Sequence, residues 1–286
     1  MNTVVSRAFL FTVLLGVPSS AAEGRAVQIF ATMPVYLGAL IFVGGFVLVA
    51  VGAGLLAHRY LPQTVLEDHN DIAGFMFAVV GVVYAVVLAF LAIATWQRFD
   101  AAEVRVHDEA SQLIVVYRRV DAFPAATRRL RSLIARYDDL VVKDEWPKMN
   151  SGGQSDDANT LIERIAYEVR HLKVKNASEQ DLLTSLIDGL QATMMDREAR
   201  LLLGNAGLNP FLWTILFLGA GVTIAFSYLF AFRSVGAQVA MTGLLALSLA
   251  LVLYLIAVVD YPFRGDVRIQ ATPFIEAGQT FREVGP

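Results

Sequence analysis

Four long runs of apolar residues, free of charge, punctuate this 286-residue chain. They cover Val35 to Ala57, Ile72 to Trp96, Pro210 to Phe232 and Val235 to Val259. Each meets the roughly 20 mostly apolar residues needed to cross about 30 Å of hydrocarbon. Each is bracketed by residues that prefer water or the interface, namely His58 and Arg59, Asp71, Gln97 and Arg98, Asn209, Arg233 and Asp260. Hydrocarbon offers backbone amides no partner, so these runs are expected as helices, the adjacent Gly44 and Gly45 of the first included. The expected fold is all-α, a polytopic membrane protein with four transmembrane helices in two hairpins. The first hairpin occupies 33–96, a helical soluble insertion 97–209, the second hairpin 210–259 and a tail 260–286.

Between the hairpins the period changes. Leu182, Leu183, Leu186, Ile187, Leu190 and Met194 recur at three and four residues, the spacing of one helix face. Four helices are expected there. The first continues the second span to about Ala122, before Pro124. The next runs from about Ala125 to Trp146 and is expected to stop at Pro147, since proline lacks an N–H and clashes with the preceding turn. A Gly/Ser/Asp-rich loop follows over 150–155. A third helix covers about Ala158 to Leu172. A fourth starts at a capping box of Ser178 and Asp181 and runs to about Leu203, before Asn205, Gly207 and Pro210.

Composition sharpens this division. Only 17% of residues are charged, and 34 of those 49 fall between Gln97 and Asn209. A net charge of −3 gives no basic field, so no nucleic-acid partner is expected. The absence of cysteine rules out disulfides, thiolate chemistry and cysteine-ligated metals. Near the span ends Arg98, Arg105, Arg197, Arg200, Arg264 and Arg268 lie on one side, and Arg59 and Arg233 on the other. The positive-inside rule therefore places the insertion in the cytoplasm, with the chain multi-pass in its membrane. Residues 1–32 conflict with that placement. Ala8 to Val17 followed by Pro18, Ser19, Ser20, Ala21 and Ala22 reads as a signal peptide, whose cleavage would put the insertion outside. A start at Met33 removes the conflict.

The second span carries the candidate chemistry. Gly74, Ala78, Gly81, Ala85, Ala89 and Ala92 share one helical face, a small-residue stripe suited to helix packing. About 80° away, Asn70, Phe77, Tyr84 and Thr95 form a line that collects the polar side chains of the span. That line faces either a pore or subunit contact, or neighbouring helices of the same chain through hydroxyl bonds. Just before it, Glu67, Asp68, His69, Asn70 and Asp71 form an acidic cluster. At a pore mouth these groups favour cations; as caps, Asn70 and Asp71 satisfy free N–H groups at the helix start. Enzyme chemistry finds no support. His58, His69, His107 and His171 are scattered without ligand spacing, no span holds Asp, Glu, Lys, Arg or His, and no glycine-rich phosphate loop occurs. No catalytic residue, metal or cofactor is expected. In the insertion, Arg128, Arg129, Arg131 and Arg136 read as a solvated basic face paired with Asp138 and Asp139, and Asp144 and Glu145 as surface charge. Asp260 and Arg264 are spaced to pair across one helical turn.

The run His69-Asn70-Asp71-Ile72-Ala73-Gly74-Phe75-Met76-Phe77-Ala78-Val79-Val80-Gly81-Val82-Val83-Tyr84-Ala85 resembles the signature of a bacterial membrane family called the bestrophin-like domain. Asp144-Glu145-Trp146-Pro147, Asp196-Arg197-Glu198-Ala199-Arg200-Leu201 and Asp260-Tyr261-Pro262-Phe263-Arg264-Gly265 fit it as well. The match covers about Met33 to Phe274. The resemblance implies a four-span homo-oligomer, a pentamer in bestrophins, that passes inorganic ions through a pore lined by the second span. The chain lacks the bestrophin calcium-clasp acidic run and neck motif, so neither calcium gating nor anion selectivity is implied. The expected function is a channel in the lipid bilayer; the alternative is a non-conducting scaffold or sensor whose insertion binds a partner.

Overall fold

The structure is a computed structural model that describes residues 34–60, 70–230 and 234–285. Nine α-helices and no strand occur among the described residues. They are α1 (Val35–Tyr60), α2 (Asn70–Arg119), α3 (Pro124–Leu140), α4 (Trp146–Asn150), α5 (Asp156–Arg170), α6 (Ala177–Asn205), α7 (Pro210–Ser227), α8 (Val235–Val259) and α9 (Thr272–Val284). A 3₁₀ turn, Val120–Ala122, joins α2 to α3, and a π turn, Val141–Glu145, joins α3 to α4. Four helices are long and apolar enough to cross a membrane, α1, α2, α7 and α8. The signal-like segment and Arg233 lie outside the described residues.

The chain forms two units, one of 1–96 with 208–260 and the other of 97–207 with 261–286. In the first unit α1 packs most extensively on α8. Polar side chains fasten its helices by reaching neighbouring carbonyls. The Tyr228 hydroxyl donates to Ala50 O at 2.6 Å, Gln238 Nε2 to Gly54 O at 3.2 Å and the Tyr254 hydroxyl to Val35 O at 2.7 Å. Gly54 lets Tyr228 approach, since a Cβ there would stand 3.1 Å from its ring. The third span stops at Ser227 rather than Phe232. Hydropathy registers apolarity and not hydrogen bonds, and here the Ser227 hydroxyl donates to Ile224 O at 2.6 Å while Tyr228 turns toward α1. Asp260, at the end of α8, is buried and accepts from Leu208 N at 2.8 Å.

The second unit is built on the lower half of α2 and on α6, which run antiparallel. Arg98 donates to Ala206 O, Arg105 to Asp196 Oδ1 at 3.0 Å and Arg119 to Ser185 O at 2.9 Å. Its core joins Val106, Leu113, Ile134, Ile162, Ile165 and Leu186 to Phe263, Phe274 and Phe281 from the C-terminal segment. On α5, Leu161, Ile162, Ile165, Ala166 and Val169 are buried at helical spacing, so the 3.6-residue period places that helix. Two expected boundaries move. Pro147 does not end a helix, because the π turn before it has already changed register: the Trp146 N–H bonds to Val141 O, five residues back, and helix resumes through Pro147. The cap of α6 is Asn176, not Ser178. Asn176 Oδ1 accepts from Glu179 N at 2.8 Å, and Glu179 Oε2 accepts from Lys175 N at 2.7 Å.

Candidate functional site

The 50 residues of α2 carry both features that bear on function, an apolar span and, further along the same helix, a buried charge. Within the span, Tyr84 is 7% exposed and its hydroxyl donates to Leu216 O of α7 at 2.6 Å. Gly219 on α7 makes room for its ring, since a Cβ there would collide with Tyr84 Cε2. Phe77 is half-buried between Phe226 and Phe230, with ring centroids at 6.3 and 5.6 Å. Thr95 is buried and its hydroxyl donates to Leu91 O at 2.8 Å. Tyr84 and Phe77 therefore turn toward α7 and the residues that follow it, while Thr95 bonds back to its own helix. Asn70 begins α2 and Asp71 follows it; their side chains, and Glu67 and Asp68, lie outside the described residues.

The small residues occupy a different part of the helix surface. Ala78, Ala85 and Ala89 are exposed, and nothing lies within 4 Å of a Cβ built on Gly81. Gly74 has the Phe230 ring edge at 3.8 Å from such a Cβ, and Ala92 is half-buried. Beyond them Phe75, Val82, Val86, Phe90 and Ile93 are exposed, so much of the span's circumference is apolar and uncovered among the described residues.

Below the span, two of the motifs read in the sequence meet. Glu109 of α2, Glu145 of the π turn and Arg200 of α6 are each fully buried, and Arg197 is 6% exposed. Arg200 Nε and Nη2 donate to the two Glu109 oxygens at 2.7 and 3.1 Å, and Nη2 also donates to Glu145 Oε1 at 2.7 Å. Arg197 Nη2 donates to Glu145 Oε2 at 2.5 Å and Nη1 to Asn159 Oδ1 at 3.0 Å. The Tyr137 hydroxyl donates to Glu109 Oε1 at 2.8 Å, and the Arg200 guanidinium lies over the Trp146 ring, 5.0 Å from its centroid. Two carboxylates and two guanidiniums balance, which is the condition for burying charge at tolerable cost. Burial pushes the Glu145 carboxyl upward, but Arg200 and Arg197 outweigh it and hold the group below its ordinary value. Burial raises Glu109 and Tyr137.

Glu145 was expected on the surface, and the π turn explains the difference: it directs Glu145 inward while Asp144 stays outside, accepting from Lys148 Nζ at 2.7 Å and from the Ser155 hydroxyl. The basic run of α3 also departs from expectation. Arg131 is buried, pairs with Asp121 at 2.7 Å and lies over the Tyr117 ring, while Arg129 pairs with Glu168 of α5. Arg264 lies over the Tyr261 ring and donates to Asn205 Oδ1 at 3.3 Å. Among the described residues no group of three or more His, Asp or Glu side chains is arranged to hold a metal ion. The geometry of α2 thus offers a fastened inner edge, an uncovered apolar outer surface and a locked lower half.

Three solved structures share this fold. A crystal structure described only as that of a membrane protein variant aligns with a TM-score of 0.63 at 13% identity, over 84% of this chain and 97% of that one. Two variants of a bacterial bestrophin homolog from Klebsiella pneumoniae align with TM-scores of 0.60 at 15% identity, over 84% and 85% of this chain and 99% of each. No curated protein matches the chain. The family model of the bestrophin-like domain matches residues 44–274, which takes in most of α1, all of α2, α7 and α8, the buried ion-pair network and the start of α9, and the chain is therefore a membrane protein of the bestrophin-like family.

Proposed function

We propose that the protein is a homo-oligomeric ion channel of a bacterial inner membrane, pentameric as bestrophins are, with α2 bordering the pore and the 97–209 insertion in the cytoplasm. The observation that supports this most is the uncovered surface of α2. One edge of the helix is fastened to α7 through Tyr84, while Ala78, Ala85 and Ala89 of the small-residue stripe and the apolar row beyond it are exposed among the described residues. Small residues let a neighbouring helix approach closely, so the stripe seats the next subunit and the adjoining apolar row turns toward the axis. In this arrangement Tyr84 sets the rotation of α2, and the acidic residues Glu67, Asp68 and Asp71 stand at the pore mouth.

The absence of cysteine makes the test direct. Single cysteines at Val82, Ala85 and Tyr84 are introduced into protein reconstituted in a bilayer, and currents in asymmetric salt are followed as a charged thiol reagent is added. Block at Val82→Cys, with Tyr84→Cys unaffected, is the expected outcome. Block at Tyr84→Cys instead moves the pore to the face shared with Phe77 and Thr95. Absence of current from an oligomer of verified mass overturns the channel and favours a membrane scaffold or sensor. A change of reversal potential on neutralising Glu67, Asp68 and Asp71 assigns those groups to the mouth.

A further inference from the structure

Asp138 lies on α3 where α9 packs, and it is 5% exposed. Gly278 of α9 makes room for it, since a Cβ there would stand 2.7 Å from Asp138 Oδ2. Its other oxygen, Oδ1, is buried and has no hydrogen-bond partner among the described residues. An ionised carboxylate in that position has given up water at Oδ1 without gaining a partner there, which costs more than burying the neutral acid. Two charged groups bear on it most. Asp139 on its own helix opposes ionisation, and Arg282 of α9 favours it. Several charges of the other elements packed on α3 are held by partners of their own. Asp121 of the 3₁₀ turn pairs with Arg131, and Glu168 of α5 with Arg129. In the π turn, Lys143 pairs with Asp139, Asp144 with Lys148, and Glu145 with Arg197 and Arg200. Burial foremost, then Asp139, raises the Asp138 carboxyl to about 7 against the pull of Arg282.

We propose that Asp138 makes the docking of the C-terminal helix α9 sensitive to pH, the neutral acid fitting beneath Gly278 and the ionised one loosening α9 from α3. A carboxyl whose native value is raised stabilises the docked form fully below its unfolded value, and that contribution is lost as pH rises through its native value. The loss therefore accumulates from about pH 4 to about 7 and levels off above. The last turn of α9 has anchors of its own. The Tyr117 hydroxyl donates to Phe281 O and Gly285 O at 3.1 and 2.8 Å, and Arg131 Nη1 donates to Gly285 O at 3.0 Å. Loosening is thus centred on residues 275–282.

Amide hydrogen exchange of the full chain in detergent tests this, with rates corrected for their intrinsic pH dependence. Opening of 275–282 is expected to be roughly thirtyfold greater at pH 8 than at pH 5.5, while α6 stays equally protected. Asp138→Asn should be equally protected at both values. Unchanged protection in the wild type, or a wild-type pH dependence in Asp138→Asn, overturns the proposal. Should Asp138→Asn also lose protection in α6, Arg282→Gln decides: removing the cation moves the midpoint to higher pH, and a midpoint that stays or falls overturns the proposal.

Discussion

Arg200 has no exposure to solvent, so its charge survives only through the company it keeps: two oxygens of Glu109, one of Glu145 and the face of Trp146. Removing one member strands the opposite charge in the interior. Arg200→Met should therefore lower the stability of its unit by about 3–5 kcal/mol in chemical denaturation, the range for breaking a buried pair from one side. Glu109→Gln with Arg200→Met should recover part of that loss, because the second change removes a charge that the first leaves unpaired; a strictly additive double variant would show that the pair carries no coupling. In the membrane the stakes are smaller. Tyr84→Phe deletes one hydrogen bond to Leu216 O, and such bonds between transmembrane helices average about 0.6 kcal/mol. Gly219→Ala is expected to do more damage than Tyr84→Phe, because the added methyl collides with the Tyr84 ring.

At the scale of elements, the cap of α6 offers a clean discrimination. Asn176→Ala should cost about 1 kcal/mol by leaving the Glu179 N–H without its side-chain acceptor, whereas Ser178→Ala, already inside the helix, should be close to neutral. Equal effects in thermal melts would return the cap to Ser178. The sequence pattern pointed to Ser178 because serine followed by an acid three residues on is a capping signature, but Asn176 and Glu179 have the same spacing, with Asn176 accepting from Glu179 N and Glu179 reaching one residue beyond the cap to Lys175 N. The same distinction runs through the other elements. The spans were legible because hydrocarbon imposes length and apolarity on every residue in them, and α5 because its apolar period is unbroken. Glu145 was not legible, because its partners Arg197 and Arg200 lie 52 and 55 residues away and only a π turn, which has no composition of its own, turns it inward. The Tyr84 line was legible as special but not as to direction, since a polar side chain in a span meets the same requirement by facing a pore or by bonding the carbonyl of a neighbouring helix.

At the scale of the whole molecule, the C-terminal segment belongs to the unit that the chain began before its last two spans. Residues 261–286 join 97–207, so one core is assembled from two stretches separated by α7 and α8. What α9 supplies there is specific. Phe274 lies 5.6 Å from the Trp146 ring, Phe281 stacks on Tyr117 at 4.3 Å, and both phenylalanines are almost fully buried. Deleting 272–286 should therefore open the core around Trp146 while leaving the packing of Trp213, which belongs to the other unit and is 2% exposed, as it is. The three tryptophans of the chain make this measurable. With Trp96 and Trp213 replaced by phenylalanine, emission from Trp146 should shift to the red on truncation and its denaturation midpoint should fall. With Trp96 and Trp146 replaced instead, emission from Trp213 should not move. Domains with their own cores unfold as separate units, and α2 passes through both as one helix, so the contrast between the reporters also measures how far that helix ties the two transitions together. Equal shifts in both would mean that the cores stand or fall as one.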